Sequence, residues 1–250
     1  MARKYLLTQN SELRPLGIYN WTIPALSAQL PDGRRVKTCP AAGVCAALCY
    51  ARVGTYRFSN VKAAHTRNLQ MVVDDLNGWA AAMVEELGLP RYRGDKWVRI
   101  HDAGDFFSDE YLAAWLEIAR AMPDVRFYCY TREVARFRRI VEQPGVKPEN
   151  FLYVYSLGGK EDHLLDLMVD RHADVFPSEE AAANAGYWSQ TADDRLCVTA
   201  PTNRVAVPVN NIPQLKRRQG EVTFGALQAE HDGRDWSPPD PSMPGGMIGG

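Results

Sequence analysis

No stretch of the chain approaches the ~18 consecutive apolar residues of a membrane-spanning helix. Neither sign of charge is in surplus, with 29 Lys and Arg against 30 Asp and Glu. The first lack argues against a membrane protein, and the second leaves no global field to draw the protein to nucleic acid or to a lipid surface. The opening MARKYLLTQN lacks the apolar core of a secretory signal, so the expected location is the cytoplasm. No G-x-G-x-x-G opens any helix, so the dinucleotide-binding fold is without its fingerprint. Cysteine is scarce. There are five, an odd number that disfavours a complete disulfide framework, and a reducing compartment disfavours one further.

What is present is a globular composition, 46% apolar and 24% charged, in 250 residues, a length that suits one sizeable domain. Residues 1–232 are expected to form that domain. Residues 233–250, GRDWSPPDPSMPGGMIGG, read as a flexible tail because Gly and Pro dominate them. Residues 1–38 look irregular, with Asp32-Gly33 as a turn. A helical pattern covers 60–87, capped by Ser59 or Asn60 and broken near Asn77-Gly78. From Trp97 the chain alternates. Residues 97–101 are a strand, Ser108 caps a helix with a buried stripe from Tyr111 to Met122, and Pro123 ends it. Residues 125–130 and 151–156 are strands, 132–142 and 160–170 helices, and 173–176, 195–199 and 204–208 later strands. This alternation at ~25-residue spacing signals βαβ units around a parallel sheet, so the expected fold class is α/β, closed as a full or partial (β/α) barrel.

Three of the five cysteines, Cys39, Cys45 and Cys49, fall in TCPAAGVCAALCY at 38–50, spaced C-x5-C-x3-C. Thiolate sulfur suits iron–sulfur clusters, zinc or copper(I). If the segment is helical, Cys45 and Cys49 share a face one turn apart, and Pro40 and Gly43 let the chain curl so that Cys39 can join them. Structural zinc more often uses paired C-x2-4-C motifs, so the spacing leans toward a 4Fe-4S cluster. The bland alternative is three unrelated small core residues. Candidates for a fourth ligand are Cys197, then an exogenous cosubstrate, then His65 or Cys129. Cys129 lies in an apolar strand, where it reads as a small hydrophobe.

His101-Asp102-Ala103-Gly104-Asp105-Phe106 follows a strand and precedes a capped helix, the place where α/β folds carry their sites. An imidazole flanked by carboxylates can hold an amine or relay a proton, and Gly104 permits a close backbone approach. A turn-and-cap motif with solvated charges is the competing explanation. Thr131 and Arg132 end the next strand, where they can bind a carboxylate or phosphate, or simply cap a helix. The basic runs Arg136–Arg139 and Lys216–Arg218 read first as solvated helix faces. A zinc-stabilised module whose basic runs reach nucleic acid is the alternative of a different class.

A three-cysteine loop, a Gly–acid loop after a strand and a strand ending in Thr–Arg together resemble radical S-adenosylmethionine enzymes. That resemblance implies three cysteines on three irons, with S-adenosylmethionine on the fourth. Gly104 and Asp105 would take the place of the loop that contacts the methionine amine, and Thr131 the end of the following strand. The spacing departs from C-x3-C-x2-C, and the superfamily's Gly-Gly-Glu is absent. A closer resemblance is to a phage-encoded family, in NWTIPAL (20–26), CP…C…CYA (39–51), IHDAGDF (100–106) and FYCYT (127–131). It covers about residues 18–210, and a later cysteine of that family corresponds to Cys197. It implies a host-cytoplasmic iron–sulfur protein on a radical-enzyme-like barrel, with a redox or host partner. If Cys197 completes the cluster, S-adenosylmethionine has no iron to bind, and the role is electron transfer, sensing or structure. If the fourth iron is open, the chain is a radical enzyme.

Overall fold

The computed structural model describes residues 5–208 and 212–241. The chain forms two compact units, one from residues up to 40 with 54–129 and 136–152, the other from 41–53, 130–135 and 153 onward. In chain order the elements are β1 (Ile18–Trp21), β2 (Ala28–Gln29), β3 (Arg35–Val36), α1 (Ser59–Asp74), α2 (Leu76–Leu87), β4 (Lys96–Ile100), α3 (Asp109–Ala121), β5 (Val125–Thr131), α4 (Val134–Ile140) and β6 (Phe151–Ser156). Then come β7 (His172–Phe176), α5 (Glu179–Asn184), β8 (Trp188–Ser189), α6 (Leu196–Thr199), β9 (Arg204–Pro208), α7 (Pro213–Gln219) and α8 (Phe224–His231).

Seven strands make one sheet in the order β1-β4-β5-β6-β7-β9-β8. The pairings β1–β4, β4–β5, β6–β7, β7–β9 and β8–β9 are all parallel, as the βαβ spacing requires. The α/β expectation therefore holds. The strand order ends on β1 and β8, with no pairing between them among the described residues, so closure into a barrel is not seen. A separate antiparallel hairpin joins β2 and β3. It turns at Asp32-Gly33, where Gly33 has φ +92° and Asp32 accepts from the Arg34 N–H.

The first unit's core is aromatic. Trp21, Trp79, Tyr111 and Trp115 are fully buried, with Trp79 edge-on to Trp115 at 5.2 Å. Truncating one such indole costs about 3–5 kcal/mol. Helix α3 forms as its sequence directs. Ser108 accepts from the Tyr111 N–H, Asp109 and Glu110 occupy the positive first turn, and Tyr111, Leu112, Trp115, Leu116 and Ala119 are buried. Asp109 also takes Arg136 and Arg139 as ion-pair partners, while Arg138 pairs with Glu142, so this basic run is locally neutralised.

Several expectations change. The supposedly irregular N-terminal region contains β1, whose four residues are all buried and pair with β4. The long helix breaks at Asp75 rather than Asn77-Gly78. Asp75 leaves helical φ/ψ and caps α2 through the Gly78 N–H, while Phe58, not Ser59 or Asn60, precedes α1. Residues 160–170 are not an α-helix beyond one 3-10 turn, Asp162–Leu164. Asp166 and Asp170 side chains accept from the Met168 and Asp166 N–H groups, bonds that compete with a helical ladder. Residues 196–199 are a helical turn rather than a strand. Of the expected tail, Trp236 packs against Gly225 and the Asp240 carbonyl accepts from the buried Arg204 guanidinium at 2.8 Å, both within the second unit. Residues 242–250 lie outside the described residues.

Candidate functional site

In the second unit the cysteine loop follows no α-helix. It is two 3-10 turns, Val44–Ala46 and Tyr50–Arg52, with Cys45 in the first and Cys49 at the N-terminal boundary of the second. Backbone groups hold it. The Ala41 N–H donates to the buried Glu133 carboxylate at 2.7 Å, the Val44 N–H to Gln228 Oε1 at 2.7 Å, and the Cys45 N–H to the Gly158 carbonyl at 3.2 Å. The Lys160 N–H returns a bond to the Ala41 carbonyl at 2.8 Å. A Cβ at Gly43 would displace Gln228 Oε1 from its bond with Val44 and crowd the Gly158 carbonyl at 2.9 Å. Gly158, just beyond the C-terminal end of β6, has φ +95° and lies against Phe224. Cys45 and Leu48 then pack with Phe224 in an apolar cluster that Val175 and Leu227 border.

Two charge effects meet at this loop. Burial pushes the Cys49 thiol up, with the neighbouring Cys45 adding to the rise, while the Arg132 and Arg52 guanidinium groups pull it down; the net direction is up. The Asp162 carboxylate accepts from the Gly158 and Gly159 N–H groups at 2.7 and 2.9 Å and so fixes the turn that receives Cys45. Burial outweighs those bonds and pushes Asp162 up to about 7. Asp174 in β7 is pushed up to about 6 by burial. Its Oδ1 accepts from Val175 and Gly225 N–H groups, and its Oδ2 has no partner among the described residues. Arg132 donates to the Leu157 carbonyl at 3.2 Å and lies over Gly159. The Thr131 hydroxyl accepts from the Glu133 N–H at 3.1 Å, the capping role that competed with ligand binding for that residue.

The first unit gathers the other motifs. The Ala103 carbonyl accepts from Ile23 and the Asp105 N–H donates to the Thr38 carbonyl at 2.8 Å, so HDAGDF clasps both NWTIPAL and the residue before Cys39. Gly104, at φ +88°, has no room for a Cβ against Ile23. Cys39 Sγ accepts from the Leu26 N–H at 3.2 Å. His101 does not continue the strand's alternation. It has φ +68°, an uncommon conformation for a residue with a Cβ, and its Nε2 lies 2.9 Å from the Tyr111 hydroxyl, which accepts from Trp21 Nε1. Complete burial pushes His101 down to about 3, so its imidazole is neutral at physiological pH. Asp102 accepts from the Tyr56 hydroxyl at 2.6 Å and pairs with Arg99 at 3.6 Å. The Asp105 Oδ1 accepts from the Phe106 N–H. His65 stands beside the Tyr56 ring, and burial lowers its pKa against the pull of Asp102.

The remaining thiols lie in elements of their own. Cys129 is fully buried in β5 with its sulfur 3.8 Å from the Leu152 carbonyl, as a core residue would be. Cys197 is fully buried in α6, and its carbonyl accepts from Arg171 at 3.4 Å, immediately before β7 begins. Cys45 instead lies beyond β6, packed near Val175 toward the other end of β7. Among the described residues no three His, Cys, Asp or Glu side chains converge closely enough to hold a metal ion. Cys45 and Cys49 supply donors of the right chemistry for a soft metal, with two cations beside them, but not a finished ligand set. Glu133, Asp162 and Gln228 escaped the sequence reading. Gly158-Gly159 followed by an acid three positions on is the one local signal that points to a carboxylate-capped turn.

These features define a parallel-sheet α/β protein with a thiol-bearing loop set beyond a strand end. The chain belongs to the Gene product 88 family, whose profile matches residues 3–236. It is 34% identical over 116 residues to the Gene 88 protein of Mycobacterium phage L5, covering 43% of this chain and 48% of the relative. It is 33% identical, over the same extent, to the Gene 88 protein of Mycobacterium phage D29. The aligned region thus spans about half the length of these curated relatives. No solved structure matches the chain. No helix of the described residues is long and apolar enough to cross a membrane.

Proposed function

We propose that the protein holds a 4Fe-4S cluster through the thiolates of Cys39, Cys45 and Cys49, in the cytoplasm of a phage-infected host. The observation that carries this is the Cys45–Cys49 pair, in which Cys45 adds to the rise of the Cys49 pKa while the Arg132 and Arg52 guanidinium groups act on the same thiol. Soft thiolates suit iron–sulfur clusters, and guanidinium groups offset the negative charge that such a cluster brings. Cys39 precedes Cys45 by six residues, a tether of at most about 20 Å between their Cα atoms. Bound there, the cluster would supply one-electron exchange. The sheet, open between β1 and β8, is compatible with a partial barrel of the radical-enzyme kind.

A second reading leaves Cys197, buried in α6 with its carbonyl accepting from Arg171, out of the ligand set. Without it the fourth iron is open, and S-adenosylmethionine is the exogenous ligand that the resemblance suggests. Protein purified without oxygen should contain iron and inorganic sulfide, with Cys45→Ser and Cys49→Ser losing both and Cys197→Ala keeping them. Zinc without sulfide, or unchanged iron in both serine variants, overturns the cluster. An electron paramagnetic resonance spectrum that S-adenosylmethionine leaves unchanged removes the second reading, and loss of cluster in Cys197→Ala restores the four-cysteine form.

A further inference from the structure

The second unit places cations unequally around the cysteine loop. The Arg52 guanidinium donates to the Ala46 carbonyl at 3.5 Å and that of Arg218 to the adjacent Ala47 carbonyl at 3.2 Å. Arg218 ends a run in the last turn of α7 that includes Lys216 and Arg217, and all four side chains are exposed. None of the four has a carboxylate within ion-pair distance among the described residues. The nearest acid along the chain, Glu221, is exposed and makes no ion pair there either. The other basic run, Arg136–Arg139, has every arginine paired. The collar is also held in place. Leu215 is buried, and the Gln219 amide donates to the Val175 and Val222 carbonyls, which fixes α7 with its basic residues outward.

We propose that this collar of Arg52, Lys216, Arg217 and Arg218 is a docking surface for an acidic protein that presents clustered Asp and Glu side chains to the rim of the cysteine loop. Guanidinium groups pair with carboxylates through two parallel hydrogen bonds, and uncompensated surface cations speed and orient encounter with an acidic partner. Single-stranded nucleic acid is the less fitting polyanion. Its usual sites add exposed aromatic rings on which bases stack, and among the described residues the exposed large aromatic of the second unit is Trp188, on β8 at the end of the strand order. The collar goes beyond the cluster reading and needs no metal.

The test uses the full chain and two labelled probes of equal charge, poly-L-glutamate and a single-stranded oligodeoxynucleotide, followed by fluorescence anisotropy at low and high salt. Poly-L-glutamate should bind, more weakly as salt rises. The combined Arg52→Gln, Lys216→Gln, Arg217→Gln and Arg218→Gln variant should lose about tenfold or more in affinity, while Arg52→Lys, Arg217→Lys and Arg218→Lys together, which keep the charge but not the paired hydrogen bonds, should lose less than the glutamine variant. Circular dichroism confirms that each variant is folded. The Cys45→Ser form should bind poly-L-glutamate as the parent does, so failure of iron binding and failure of the collar are separate results. Absence of poly-L-glutamate binding, undiminished binding by the glutamine variant, or a tighter collar-dependent grip on the oligonucleotide overturns the proposal.

Discussion

Asp162 sets two forces against each other, and pH separates them. Two glycine N–H groups favour its ionised form, and burial favours its neutral form. With burial prevailing, the folded carboxyl titrates at about 7, against 3.8 for the ordinary group. The folded state therefore keeps a proton that the unfolded chain gives up, and stability falls as pH rises from near 4 to near 7. The gap of about three units, at roughly 1.4 kcal/mol each, sets the loss at about 4 kcal/mol. Asp162→Asn keeps one acceptor for the glycine turn and removes the titration. Asp174 and Arg132 remain in both proteins, so their own titrations largely cancel in the comparison. Urea unfolding between pH 4.5 and 8 should show the asparagine variant gaining on the parent by about 3 kcal/mol across that window. A flat difference, or one that turns against asparagine as pH rises, would show that the N–H bonds and not burial govern the group.

Gly104→Ala forces a Cβ into Ile23 at a positive φ, whereas Gly94→Ala meets nothing within 4 Å at a similar φ of +86°. Denaturant titration should find about 1 kcal/mol lost at Gly94 and at least about 2 kcal/mol more at Gly104, and equal losses would refute the clasp. Tyr111→Phe takes the shared hydroxyl from buried Trp21 and His101 and should cost about 2–4 kcal/mol in the same assay, with no effect counting against that network. Ending the chain at Gly233 removes Trp236 from Gly225 and one carbonyl acceptor from Arg204, so thermal unfolding should begin several degrees lower; an unchanged midpoint would mean that this segment carries no stability.

The alternating half of the fold was legible because its signals are local. VRFYCY and FLYVYS are apolar runs of strand length, and Ser108 with its acidic first turn announces α3. β1 was not, since IYNW is too short to signal alone and becomes a strand by pairing with β4. Residues 160–170 carry helical periodicity, yet Asp162, Asp166 and Asp170 spend their side chains on nearby backbone N–H groups. At the candidate site the cysteines stood out by spacing. Glu133 and Gln228 did not, because a single polar residue far along the chain looks like any surface residue until folding buries it beside an N–H group. His101 misled in the other direction. A histidine between acids suggests proton transfer, but its ring is buried against Phe106 and Tyr111 at 4.7 and 5.6 Å between centroids.

The loop of the second unit is carried by the amide groups of Ala41, Val44 and Cys45, which donate to Glu133, Gln228 and Gly158. Anchorage and reactivity are thus assigned to different atoms of the same few residues. A serine put in place of either cysteine therefore changes the chemistry of the loop while those amide bonds keep its address in the fold.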